Sequence, residues 1–222
     1  MKYAGYYSKR VIIYLVGLFV MALGVSVSRL SNLGVSPVNS IPAVVSGISG
    51  VDMGICTVIV FTGFILVQLI LLRKDFKPKY FLQIIGSIVF GLFVSLSNAL
   101  VVGILPAYTN YAAKMLYVIA SIFLVAGGIL LYLQADILSL PGEGVMQALS
   151  AKTGITIGSA KICFDWTIVI IAVLISLIAT GKLSGVREGT LFSALGVGVC
   201  LKLLNGLLQE PLRNFLGPKN NM

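Results

Sequence analysis

The feature that most constrains the fold is a series of six apolar stretches, each long enough to cross a lipid bilayer as a helix. They are Val11–Ser28, Met53–Leu72, Tyr80–Ile104, Met115–Gln134, Ile157–Thr180 and Gly189–Leu208. A spanning helix needs about 20 predominantly apolar residues to cross a hydrocarbon core of ~30 Å. Only 10% of the 222 residues are charged, whereas soluble domains carry about 25%. The sequence therefore predicts an all-α polytopic membrane protein with six transmembrane helices.

Two further segments, placed between the apolar stretches, are too short to cross the bilayer. They cover about residues 37–50 and 141–153, and each begins with a proline, Pro37 or Pro141. A dozen residues at ~1.5 Å each form a helix only ~18 Å long. Broken helices at membrane depth are tolerated where they face protein or a water-filled cavity, because lipid offers no hydrogen-bond partners. We therefore expect two short re-entrant helices around an internal cavity.

The two interrupted segments belong to a longer internal repeat. Four matched residue pairs are each 104 positions apart, namely Pro37 and Pro141, Ser46 and Ser150, Gly50 and Gly154, and Gly54 and Gly158. Later Gly91 matches Gly198 with a separation of 107. The pattern predicts two membrane units, residues 1–108 and 109–222, with three spans and one short helix in each. Because three is odd, the second unit would be inverted relative to the first, with a binding site near the midplane where the units meet.

The distribution of basic residues predicts the topology. If both short helices are re-entrant and the N-terminus is inside, 12 of the 16 Lys and Arg residues lie on the cytoplasmic side. If both short helices crossed, the split would be 9 to 7. The positive-inside rule favours the first arrangement, which places both termini in the cytoplasm. The same rule explains the net charge of +9, so no nucleic-acid partner is expected.

Polar side chains around the second interruption are candidate ligand-binding groups. Glu143 follows Pro141-Gly142, where a carboxylate could cap its own helix or bind a cation, an amine or a proton. Asp165 lies within the fifth span, four residues after Lys161, so the two could form an ion pair, a gate or a proton relay. The full set of predicted substrate-binding residues is Asn39, Asp136, Glu143, Gln147, Lys161 and Asp165. Because acids outnumber bases in this set, a cationic or proton-coupled substrate is favoured over an anion.

Several function classes are not expected from the residue content. The chain has no histidine, and its three cysteines are widely spaced, so neither a metal site nor a cofactor is predicted. The sequence also contains no arrangement of a nucleophile and a base that would indicate an enzyme. The leading hypothesis is a small-molecule transporter of the secondary, gradient-driven class. The alternatives are a substrate-binding membrane subunit energised by a partner and a non-transporting scaffold or regulator. A homo-oligomer and an accessory subunit both remain open.

The second half carries a family resemblance. The segment SLPGEGVMQALSAKTGITIGSAKICFDW, followed by GKLSGVREGT, resembles the YczE/YyaS/YitT-like family of bacterial integral membrane proteins. The N-terminal LGVSP…SGISGVDMG is similar to a pattern of the same family, from which Asp52-Met53 departs. The resemblance covers nearly the whole chain. It implies a multi-pass protein of the bacterial inner membrane, and it assigns no catalytic residue.

Overall fold

A computed structural model describes residues 2–182 and 185–216. Leu183, Ser184 and residues 217–222 lie outside the described residues, including Lys219, which the topology prediction counts as cytoplasmic. The described part contains helices and two short 3-10 turns but no strand. The helices are α1 (Lys2–Ser31), α2 (Pro37–Ser49), α3 (Met53–Leu72), α4 (Gln83–Ile104), α5 (Tyr111–Ala135), α6 (Pro141–Thr153), α7 (Ile157–Thr180) and α8 (Glu188–Leu216).

Six of these helices are long and apolar enough to cross a membrane, namely α1, α3, α4, α5, α7 and α8. The predicted all-α fold with six spans is therefore confirmed. Large apolar side chains cover the outer surface of the bundle; Ile178 is 85% exposed and Leu195 is 77% exposed. Such a surface suits lipid rather than water, because soluble monomers rarely expose extended apolar patches.

The centre of the bundle is the packed pair α1 and α5, and two glycines allow the helices to approach closely. A Cβ atom on Gly128 would lie 2.5 Å from the backbone nitrogen of Met21. One on Gly24 would lie 2.8 Å from the backbone nitrogen of Val125. Small residues at a membrane helix interface bring backbones into van der Waals contact, which drives association where the hydrophobic effect cannot. On this pair, α4 packs against α1 and α8 packs against α5.

The short helices α2 and α6 share their local structure. Each has 13 residues, too few to cross, and each begins with proline at its first turn. Proline suits this position because it has no N–H to leave unpaired. Each helix ends at a glycine in the left-handed region, Gly50 with φ 71° and Gly154 with φ 74°. Asn32 and Asp136, which precede the helices at equivalent positions, also have positive φ, 55° and 53°.

Both short helices run from the interior back toward an end of the bundle. Ser46 near the end of α2 accepts a 3.2 Å hydrogen bond from Arg29 near the end of α1. Lys152 near the end of α6 lies 4.0 Å from Asp75, just beyond α3. This geometry agrees with the expected re-entrant helices. In addition, α2 packs against α7 and α6 packs against α3, so each short helix contacts a span of the other half.

Candidate ligand-binding site

The beginnings of α2 and α6 meet inside the bundle. A Cβ atom on Gly142 would lie 3.1 Å from Cγ1 of Val38. Neither Ser36 nor Leu140, the residues before the two helices, makes a side-chain capping bond. Helix N-termini present free N–H groups and partial positive charge. Two such termini at one place form a polar centre within an otherwise apolar bundle.

A cavity of about 280 Å³ lies beside this junction. Its polar lining includes Asn39 from α2, Glu143 and Gln147 from α6, and Lys161 from α7. Much of the remaining wall is apolar and includes Met21, Phe61, Val125, Ile129, Val197 and Leu201. The volume is just below the roughly 300–1,000 Å³ that ligand pockets usually occupy. The cavity therefore suits a small molecule that has an apolar body and few polar groups.

The carboxyl group of Glu143 is the most unusual group in the site. Among the described residues, its Oε2 atom has no hydrogen-bond partner, and neither do the hydroxyl groups of Tyr14 and Tyr132. Both hydroxyl groups interact electrostatically with this carboxyl group. The tyrosine rings contact edge to face with centroids 6.3 Å apart. Unsatisfied polar groups in a packed interior are costly, so their concentration here indicates a place for a ligand.

Burial raises the pKa of the Glu143 carboxyl group above its usual value, and the nearby Asp165 carboxyl group acts in the same direction. The nearby Tyr132 hydroxyl group and the positive charge of Lys161 oppose the rise without cancelling it. Burial removes water from the charged form and so favours the protonated one. Glu143 lies on α6, which does not span the membrane, but its side chain faces the cavity. The carboxyl group therefore holds a proton more readily than an exposed glutamate does.

Lys161 and Asp165 form an ion pair along one face of α7. Nζ of Lys161 lies 2.5 Å from Oδ2 of Asp165, and the side chains are 36% and 8% exposed. The other carboxylate oxygen, Oδ1, has no partner among the described residues. Asn39 has the same character: its Nδ2 donates a 2.9 Å hydrogen bond to Ser36, while its buried Oδ1 has no described partner. The Oδ1 atoms of Asp165 and Asn39 are therefore further hydrogen-bond acceptors without described partners near the cavity.

The structure separates the predicted residues into two neighbouring places. Asn39, Glu143, Gln147 and Lys161 line the cavity, and Asp165 joins it through its ion pair with Lys161. Asp136 does not line this cavity. It ends α5 in a left-handed conformation and faces an adjoining pocket of about 460 Å³. That pocket is also lined by Gln147, which therefore borders both spaces.

Three aromatic residues near the site were not predicted from the sequence. Tyr14 and Tyr132 lie inside long apolar stretches, where a tyrosine normally packs against neighbouring helices or anchors the chain at the membrane interface. Phe61 is buried, stacks between Phe64 and Phe90, and also lines the cavity. Only the folding of α6 back toward α1 and α5 reveals that the tyrosines share a site with Glu143. Among the described residues, no group of three His, Cys, Asp or Glu side chains could hold a metal ion.

The fold and the site together define a polytopic helical membrane protein with an internal, mainly apolar cavity that ends at a buried carboxyl group. A protein-family model matches residues 8–206, nearly the whole chain. The chain therefore belongs to that family, which is described as a family of unknown function (DUF6198). No curated protein and no solved structure matched the chain.

Proposed function

We propose that the protein is a secondary transporter of small organic cations, which bind in the cavity with their positive charge at Glu143. The observation that carries this proposal is the Glu143 carboxyl group, which lines the cavity and has an oxygen without a hydrogen-bond partner among the described residues. An ion or amine at this place would supply the missing partner. Buried ionisable groups in membrane proteins usually mark substrate or ion pathways.

The balance of charge supports a cation rather than an anion. Lys161 supplies one ammonium group near the cavity, and this group is already paired with Asp165. Glu143 then remains as the ionisable group without an opposite charge in direct contact. A monovalent cation would neutralise it, whereas an anion would have to displace an existing carboxylate from Lys161. Isolated buried charges are costly, so the site favours the ligand that completes the pair.

The walls of the cavity support a ligand with an apolar or aromatic body. Phe61 lines the cavity and belongs to a stacked aromatic cluster. Tyr14 and Tyr132 interact with the carboxyl group but do not line the cavity. Aromatic rings attract organic cations by about 0.5–2 kcal/mol each. A strongly hydrated inorganic ion would gain little from such walls, because it would lose its water without enough oxygen ligands. The substrate class we infer is therefore an amine or quaternary ammonium compound.

Proton exchange would provide the driving force. The raised pKa of Glu143 means that its carboxyl group holds a proton more readily than a free glutamate does. A bound cation would stabilise the ionised form and expel that proton. Each binding event would then exchange one positive charge for another at the same carboxyl group. Apparent affinity for the cation should rise as the pH rises, because protons and cations compete.

Finer features of the architecture also belong to this proposal. The matched residue pairs and the shared local structure of α2 and α6 support an inverted repeat of residues 1–108 and 109–222. Transporters of that design place their substrates between the repeats near the midplane. The basic loops support a cytoplasmic location for both termini. The resemblance to YczE/YyaS/YitT-like proteins supports a place in the bacterial inner membrane.

Transport by purified protein in liposomes tests the proposal. The probe is benzyltrimethylammonium, with benzyl alcohol and benzoate as neutral and anionic compounds of similar body. A proton gradient should drive accumulation of the cation, while benzoate should show no protein-dependent flux. Glu143→Gln should abolish the cation flux, and Glu188→Gln should preserve it, because Glu188 lies outside the cavity in a surface ion pair with Arg187. Equal flux for native and Glu143→Gln protein would contradict the proposal.

A further inference from the structure

The interface between α3 and α4, called the α3–α4 seam below, is tightly packed. A Cβ atom on Gly54 would overlap the carbonyl oxygen of Gly91 and Oγ of Ser95. The Ser95 hydroxyl also donates a short hydrogen bond to Asp52, the residue that caps α3. Backbone contact and a polar bridge therefore hold these two helices together.

The matching seam between α7 and α8 is open. The repeat places Gly158 where the first half has Gly54, and Gly198 where it has Gly91. A Cβ atom on Gly198 would meet no atom within 4 Å, and one on Gly158 would meet only Oγ1 of Thr156 at 3.9 Å. In the described part of the chain, α7 and α8 scarcely contact each other, whereas α3 and α4 pack directly. The two seams differ although the same small residues lie in both.

The second seam also lacks the polar bridge of the first. The positions that correspond to Asp52 and Ser95 hold Thr156 and Lys202. Thr156 accepts a 3.2 Å hydrogen bond from the backbone of Ser159 and so caps its own helix. Lys202 is exposed. The α7–α8 seam therefore retains small residues that permit close packing, but it has no described bond between the two helices that would hold it shut.

The ligand cavity extends into this open seam. Its lining includes Gly158 and Lys161 on one side and Ser193, Val197 and Gly198 on the other. Gly158 and Gly198 are both exposed, so they lie at the rim. Large apolar side chains are exposed beside them, as the 60% exposure of Ile157 illustrates, and Lys202 is also exposed at this seam. The buried Oδ1 of Asn39, which has no partner among the described residues, belongs to the same cavity.

We propose that the α7–α8 seam is the port through which a cation dissolved in the bilayer reaches the cavity. The port closes during transport by bringing Gly158 against Gly198, as Gly54 now lies against Gly91. This inference rests on the proposed transport function, and it narrows the substrate to amphipathic cations that partition into lipid. The adjoining pocket that contains Asp136 is separate from the port and shares Gln147 with the cavity.

Disulfide formation between the two helices tests the closure without requiring a ligand. The natural cysteines are first removed by the substitutions Cys56→Ser, Cys163→Ser and Cys200→Ser, so that only introduced cysteines can react. Two cysteine pairs are then compared in native-like membranes: Gly158→Cys with Gly198→Cys across the port, and Gly158→Cys with Gly206→Cys as the control. A disulfide requires Cβ atoms about 3.5–4.5 Å apart. All three glycines have space for a side chain, so circular dichroism and gel filtration should show folded proteins.

We expect oxidation to produce an intramolecular disulfide in the port pair and none in the control pair. The oxidised port pair should lose protein-dependent entry of benzyltrimethylammonium, and reduction should restore it. No disulfide in the port pair, or equal reaction of the control pair, would overturn the inference. A disulfide that joins two copies would identify the seam as a contact between copies instead. Cation binding without cross-linking would refute the port alone, and cross-linking without cation binding would refute the transport proposal.

Discussion

Removing either partner of the ion pair between Lys161 and Asp165 should destabilise the protein, but by different amounts. The Asp165 side chain is 8% exposed, whereas that of Lys161 is 36% exposed. Lys161→Met would leave a buried carboxylate without its counter-charge, which costs about 3–5 kcal/mol. Asp165→Asn would leave an ammonium group that can rotate into a wetter environment, so the loss should be nearer ~1 kcal/mol, as for exposed pairs. Removal of the ammonium group is therefore expected to be the more damaging change.

Thermal unfolding in detergent, followed by circular dichroism, measures this difference. A loss of 1 kcal/mol lowers the melting temperature by roughly 2–4 °C in a chain of this size. Lys161→Met should therefore melt at least about 6 °C below the native protein, and the double variant Lys161→Met/Asp165→Leu should recover most of that loss.

The matched control for this experiment is the Lys152 pair with Asp75. Its side chains are 51% and 76% exposed, so Lys152→Met should leave the melting temperature almost unchanged. A larger loss of stability for Asp165→Asn than for Lys161→Met, or a loss for Lys161→Met as small as that for Lys152→Met, would contradict a buried ion pair at this position. A failure of the double variant to recover stability would also contradict it.

Two further predictions concern packing and capping. Gly128→Ala should destabilise the protein by about 1–3 kcal/mol, because its Cβ atom would lie 2.5 Å from the backbone nitrogen of Met21. Gly127→Ala should leave the stability unchanged, because its Cβ atom would have open space. Equal melting temperatures for the two variants would contradict close packing of α1 against α5 at Gly128. Burial raises the pKa of Asp52, but hydrogen bonds from Ser95 and from the start of α3 outweigh burial and lower it overall. This stabilisation is present above the unfolded-state pKa and disappears as the pH falls through the lower, folded-state pKa. Asp52→Ala should therefore cost about 1 kcal/mol at neutral pH and nothing in strong acid, and a loss that did not depend on pH would contradict the capping role.

Much of the fold was predictable because the membrane restricts the available structures. Long apolar stretches must form helices there, since lipid cannot satisfy exposed backbone groups. The two short helices could also be predicted, because Pro37 and Pro141 begin segments too short to cross and Gly50 and Gly154 end them. The helix bounds differ mainly at the ends: α1 extends to Ser31 and α8 to Leu216, beyond the apolar runs. Composition marks the apolar core of a helix but not its polar final turns.

The site was only partly predictable, for reasons of three-dimensional arrangement. Glu143 and Lys161 could be selected because charge within an apolar region is costly and rare. Tyr14 and Tyr132 could not, since a tyrosine in an apolar helix is usually a packing residue. Asp136 was predicted to line the same polar space as Glu143, yet it ends α5 in a left-handed conformation and faces the neighbouring pocket.

The most direct test of the central claim is the affinity of purified protein for benzyltrimethylammonium, measured by calorimetry at two pH values. The native protein should bind the cation, more tightly at the higher pH, and should not bind benzoate. Glu143→Gln should weaken binding by about 30-fold or more, because loss of one partner of a buried charge pair costs at least ~2 kcal/mol and 1.4 kcal/mol is tenfold in affinity. It should also abolish the pH dependence, while Glu188→Gln should behave like the native protein. Unchanged affinity in Glu143→Gln, or tighter binding of benzoate than of the cation, would contradict the assignment of this cavity to a cationic substrate.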